Sequence, residues 1–130
     1  MKTVTTWSKK HQFESRQEKN SIKLDGSKEN GFGPKALLLS GLAACSGIDV
    51  VDILGKMKVV FSALVIEAEA TQTEEHPKVF KDVLITYKIQ TAATNENNIR
   101  KAIELSLEKY CGVAAMLKKN SPIRYKLVIE

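Results

Sequence analysis

The stretch from Pro34 to Met57 constrains the fold more than any other part of this chain. Pro34 has a fixed φ and no backbone donor, which suits the first turn of a helix, and Gly33 stands before it as a cap. From Leu37 to Ile48 apolar side chains cover nearly every face of that helix, and a helix apolar all round belongs inside a protein. Ser40, Gly41, Ala43, Ala44, Ser46 and Gly47 would admit another backbone at close range. Each glycine weakens a helix by about 1 kcal/mol relative to alanine, so a pair flanking Cys45 points to close packing or a site. A membrane span needs about 20 apolar residues, and Asp49 and Asp52 interrupt this run, so the sequence predicts a core helix of a soluble protein. On the helical wheel Cys45 lies with Leu38, Leu42, Asp49, Asp52 and Lys56, at the rim where the apolar face becomes charged.

The remainder of the chain has to supply what covers this helix. At 130 residues, with no Pro-, Gly- or Ser-rich linker, residues 1–130 are expected to form a single domain. Met1–Val4 lacks the apolar segment of a secretory leader, and two cysteines make no disulfide framework; the expected location is the cytoplasm, with reduced thiols. The net charge of +5 is carried mostly by lysine, with arginine only at positions 16, 100 and 124. Neither a zinc-ligand array nor an RNA-binding aromatic motif accompanies it, so no nucleic-acid partner and no membrane is expected. Lys9-Lys10 and Lys118-Lys119 read as solvated surface.

Strands are predicted over Thr3–Ser8, Gln12–Arg16 and Ser21–Asp25, the last ending in an Asp25-Gly26 turn. After the long helix the period changes to two. From Phe61 to Thr73, Leu64, Ile66, Ala68 and Ala70 share one side, and Phe80–Gln90 returns with Val83, Ile85, Tyr87 and Ile89 on one face. Thr94 is the predicted cap of a helix that carries Ile99, Ala102, Ile103, Leu105 and Leu107 inward and reaches Tyr110. Cys111-Gly112 marks a junction, Val113–Leu117 a short helix, and Ile123–Ile129 a last strand after Pro122. The order predicts an α+β domain of antiparallel sheets packed on a buried helix.

Few residues carry chemistry. His76 beside Glu74 and Glu75 sits in a charged hairpin that reads as surface, and neither a metal site nor a cofactor is expected. Asp52 and Lys56 are spaced for an i,i+4 ion pair. The cysteines remain. A buried cysteine is commonly an inert small hydrophobe, and a reactive one needs a reason to ionise. Cys45 is too far from Pro34 for the helix N-terminus to help, and Asp49 opposes a thiolate. Cys111 is the better placed of the two, since it could begin the helix that starts at Gly112.

A resemblance sharpens this. Gly33-Pro34, Leu37-Leu38-Leu39, the run from Gly41 to Val51, Glu75 to Phe80, Ala102 to Ser106 and Glu108 to Cys111 resemble the OsmC-like proteins, the osmotically induced and organic-hydroperoxide-resistance proteins. The resemblance covers nearly the whole chain and implies an intertwined homodimer, two long central helices packed back to back inside curved antiparallel sheets. It implies that Cys45 attacks a peroxide, that Cys111 resolves it as a disulfide, and that an external dithiol resets the pair. It also implies that Arg16 stabilises the thiolate. The glutamate that characterised members carry just after the proline is replaced here by Lys35, and Glu14 or Glu18 would then hold Arg16. Three readings stay open: a thiol peroxidase acting on organic hydroperoxides in oxidative-stress defence, a binding module for a small apolar ligand on the same scaffold, and another cysteine-dependent enzyme. The last lacks a well-placed histidine.

Overall fold

The computed structural model describes residues 1–130. By their contacts these residues form two compact units, Met1–Leu38 and Leu39–Glu130. The first holds an antiparallel sheet of β1 (Val4–Lys9), β2 (Gln12–Gln17) and β3 (Asn20–Asp25) in the order β1-β2-β3. Beyond β3 the chain turns on Asp25. Its buried carboxylate accepts from the backbone of Ser27 at 2.9 Å, the Ser27 hydroxyl at 2.8 Å and the backbone of Asn30 at 3.1 Å. The Ser27 N–H leads in holding this carboxyl below its ordinary pKa. The loop then returns along β3, with Phe32 N–H donating to Lys23 O at 3.0 Å. Gly31 permits that approach, because a Cβ there would stand 2.7 Å from the Lys23 carbonyl. Val4, Trp7, Phe13, Ile22 and Phe32 are all exposed in this unit.

Helix α1 (Pro34–Lys56) begins in the first unit and carries Cys45 in the second. Leu42, Ser46, Gly47, Val50 and Leu54 are buried, whereas Leu38, Ile48 and Val51 are exposed. The expectation of burial on every face therefore fails for a single chain: only 28% of its most apolar stretch is covered. The two aspartates also do not disqualify α1 as a span, since by length and composition alone it is apolar enough to cross a membrane. Ser46 and Asp49 instead meet polar partners from other elements.

A three-stranded sheet in the order β4-β5-β6 completes the second unit, from β4 (Ala63–Gln72), β5 (Phe80–Gln90) and β6 (Ile123–Ile129). Alternation places Val83, Ile85, Tyr87 and Ile89 in the core, where Ile99, Ala102 and Ile103 of α2 (Glu96–Leu105) and Leu42, Val50 and Leu54 of α1 join them. The expected all-antiparallel arrangement is corrected in one place. β4 and β5 pair antiparallel, but β5 and β6 pair parallel, from Val83 opposite Ile123 to Ile89 opposite Ile129. The segment between them contains α2, a π turn (Ser106–Tyr110) and α3 (Gly112–Lys118), long enough to return the chain to the end where β5 began. Thr94 is not the cap of α2. It lies inside a 3₁₀ turn (Ala93–Asn95), and the Asn95 side chain donates to Thr91 Oγ1 at 2.9 Å and leaves the helix end alone.

Candidate functional site

Cys45 lies in the middle of α1 and is half-buried, one residue before the buried Ser46 and one turn before the half-buried Asp49. Cys111 reaches it from the other direction. α2 gives way to the π turn, whose closing bond runs from Cys111 N–H to Ser106 O at 2.7 Å, and Cys111 itself is extended at φ −73 and ψ 106. π turns are uncommon and concentrate at functional sites, because the extra residue re-aims the chain beyond it. Here it presents Cys111 as the cap of α3, its Sγ accepting from Ala114 N–H at 3.4 Å. The Lys118 ammonium donates to the Leu107 carbonyl, one of the acceptors that the widened turn leaves open.

The two side chains are neighbours, close enough for the Cys45 side chain to bear on the Cys111 thiol. Cys111 is 3% exposed, and its pKa is pushed up to about 11 from 9.0. Burial is the largest cause and the Cys45 side chain the next; the charges at Cys45 and Asp49 add, while the Ala114 N–H opposes. The expectation that the start of α3 favours ionisation of Cys111 is thus corrected, since one N–H does not outweigh burial beside another thiol. Cys111 stays a thiol at neutral pH.

Three further residues, which sequence reasoning did not select, lie beside the cysteine pair. Ser46 Oγ is 2.6 Å from Tyr87 OH; Ser106 Oγ is 2.8 Å from Ser46 Oγ and 2.9 Å from Asp49 Oδ2. Tyr87, inward on β5, is fully buried, and desolvation pushes its phenol up to about 12. In the sequence Ser46 is one more small residue of α1, and only the inward register of Tyr87 signalled anything. Asp52 lies on the exposed side of α1 and makes no ion pair with Lys56; ion pairs form instead at Glu14–Arg16, Glu67–Lys88 and Glu96–Arg100.

Arg16 stands on β2 in the first unit, its Nε donating to Glu14 Oε1 at 3.1 Å. Of the two acceptors considered for it, Glu14 is the one engaged; Glu18 sits in the β2–β3 turn at φ 54. Lys35 lies in the first turn of α1. His76 lies in the loop between β4 and β5. On the outer side of α1, Ser40, Ala43, Ala44, Gly47, Ile48 and Val51 together with Leu64 and Ile66 of β4 line an open apolar groove of about 660 Å³.

Comparison with known proteins bears on this arrangement. A family model described as OsmC-like protein matches residues 26–126. Protein YhfA of Escherichia coli K12 is 31% identical over 101 residues, which is 77% of this chain and 75% of that protein. The crystal structure of an Aquifex aeolicus VF5 protein superposes with a TM-score of 0.85 at 29% identity, covering 99% of this chain and 96% of that one. The organic hydroperoxide resistance protein OhrB of Bacillus subtilis superposes with a TM-score of 0.67 over 97% of this chain and 96% of its own, at 15% identity, a likeness of fold.

Proposed function

The chain belongs to the OsmC-like protein family, and on that premise we propose that it is a thiol peroxidase that reduces organic hydroperoxides. The observation that carries the reading is that Cys45 and Cys111 are neighbours, a half-buried sulfur beside a buried thiol that holds its proton. In the first step the Cys45 sulfur attacks the outer oxygen of ROOH. The O–O bond breaks, an S–O bond forms, the alcohol ROH leaves, and Cys45 becomes a sulfenic acid. In the second step the Cys111 sulfur displaces the hydroxyl to give a disulfide and water. An external dithiol then reduces the disulfide and is itself oxidised. Resemblance gives Arg16 the role of stabilising the Cys45 thiolate, and the Glu14 partner is suited to orient its guanidinium.

A homodimer belongs to the same reading. The outer side of α1 and the exposed apolar side chains of the first sheet form faces that soluble monomers rarely leave open, and a second copy of the chain is the occupant proposed for them. The groove beside α1 also suits a small apolar ligand, which is what a binding module without turnover would use. Stopped-flow mixing of the reduced protein with cumene hydroperoxide, with and without excess dithiol, separates the readings. The peroxidase consumes one equivalent without dithiol and turns over with it, and Cys45→Ser consumes none. Consumption by wild type no faster than by Cys45→Ser would refute the proposal.

A further inference from the structure

The cysteine pair is flanked by polar groups that the thiol reaction leaves unused. Three fully buried residues, Tyr87, Ser46 and Ser106, bring their hydroxyls into one row that ends on the Asp49 carboxylate. A carboxylate only accepts. Ser106 Oγ is the donor toward both Asp49 Oδ2 and Ser46 Oγ, and Ser46 Oγ and Tyr87 OH share the remaining bond. Tyr87, a phenol pushed up to about 12 by burial, keeps its proton.

The same row is fastened to both cysteines through the backbone. Ser106 O accepts the Cys111 N–H at 2.7 Å, so the position of Ser106 sets that of Cys111. Ser106 is in turn fixed by Ser46, next to Cys45 in the chain, and by Asp49, one turn further along α1. Here a side chain from within the π turn supplies an anchor outside it.

We propose that Asp49, Ser106, Ser46 and Tyr87 are positioning residues that hold Cys111 against Cys45 for disulfide formation. The chemical step served rests on the peroxidase reading. The Cys111 sulfur attacks the Cys45 sulfenic sulfur, an S–S bond forms and the S–O bond breaks. The departing hydroxide takes the proton lost by Cys111 and leaves as water. The four residues bear on where Cys111 is held, so the second step is the one they affect.

Two measurements on the full chain test this. In the first, reduced protein is equilibrated in dithiothreitol redox buffers, which reads the effective concentration of one thiol toward the other without peroxide. Ser106→Ala is expected to lower it about tenfold, since positioning is what sets that quantity. In the second, one equivalent of cumene hydroperoxide is added with dimedone present. Ser106→Ala is expected to consume peroxide at the wild-type rate while the fraction of Cys45 trapped as sulfenic acid rises about fivefold or more, the consequence of a slower intramolecular step. Ser106→Thr keeps the hydroxyl and is expected to behave as wild type. Should Ser106→Ala fail to fold by circular dichroism, Asp49→Ala at the half-exposed end of the row carries the same expectation for the redox equilibrium. An effective concentration equal to wild type in the folded variant overturns the proposal, as does a folded Ser106→Thr as impaired as the alanine variant. Wild type that consumes no hydroperoxide overturns the peroxidase reading alone, and the redox equilibrium still decides the positioning.

Discussion

Raising the pH from 8 to 10 should cost this protein stability through Cys111, by an amount set by its burial. The group binds its proton up to about 11 when folded and has an ordinary value of 9.0. At pH 8 both the folded and the unfolded chain hold the proton, so the group contributes no difference. Between 9.0 and about 11 the unfolded chain has released it and the folded chain has not, so unfolding gains with every step in pH. One pKa unit corresponds to about 1.4 kcal/mol, so the loss is about 1 kcal/mol at pH 10 and has a ceiling of about 3 kcal/mol well above pH 11. Urea unfolding of the reduced protein at pH 8 and pH 10, in wild type and Cys111→Ser, isolates this contribution. Tyr87, raised for the same reason, is present in both proteins and cancels. Wild type is expected to lose about 1 kcal/mol more than the variant over that interval. Equal losses would show that Cys111 is not held protonated by burial and its Cys45 neighbour.

Other expectations rest on single contacts. Arg16→Ala should slow the reaction of Cys45 with hydroperoxide about tenfold or more and Arg16→Lys should rescue it poorly, because an ammonium lacks the planar fork; stopped-flow rates equal to wild type would free Arg16 of that role. Gly31→Ala should destabilise the first unit by about 1–3 kcal/mol, since its Cβ would collide with the Lys23 carbonyl, and hydrogen exchange at Phe32 N–H reads the effect. Tyr87→Phe should cost about 1 kcal/mol in urea unfolding by removing the bond to Ser46, with the core otherwise filled. Ile48→Asp on the open side of α1 should shift sedimentation toward monomer, and unchanged sedimentation would place the dimer contact elsewhere.

What the sequence disclosed depended on how local each cause was. The alternation of Val83, Ile85, Tyr87 and Ile89 announced β5 because the period of two is a property of the strand alone. The direction of β6 was hidden, since it depends on where a long helical connection deposits the chain. Apolar residues around α1 were visible, but the face that one chain covers is decided by β5 and α2, far away in sequence. Thr94 had the right residue type for a cap and lost the position to a preceding 3₁₀ turn. Cys45 and Cys111 stood out through their family-like flanks. Ser46 and Ser106, 60 residues apart, resemble ordinary helix-packing serines until the fold closes. Asp49 on its own helix only opposes a thiolate, and its partner Ser106 arrives from a distant segment.

The π turn at Ser106–Tyr110 has a consequence for how such a chain changes over generations. A π turn holds one residue more than the α-helical turn it interrupts, and each helical residue rotates the next segment by about 100°. Loss of a single codon within residues 106–110 would let α2 run on as an ordinary helix and swing the segment carrying Cys111 off its line to Cys45. No cysteine need be lost for the pairing to disappear. Descendants with both thiols intact and a shortened turn would keep the core contacts of Ile99, Ala102 and Ile103, all upstream of the change. A one-residue gap in this short span, more than the presence of two cysteines, is therefore the mark by which relatives whose second cysteine is turned away from the first are to be told from those in which the two stay neighbours.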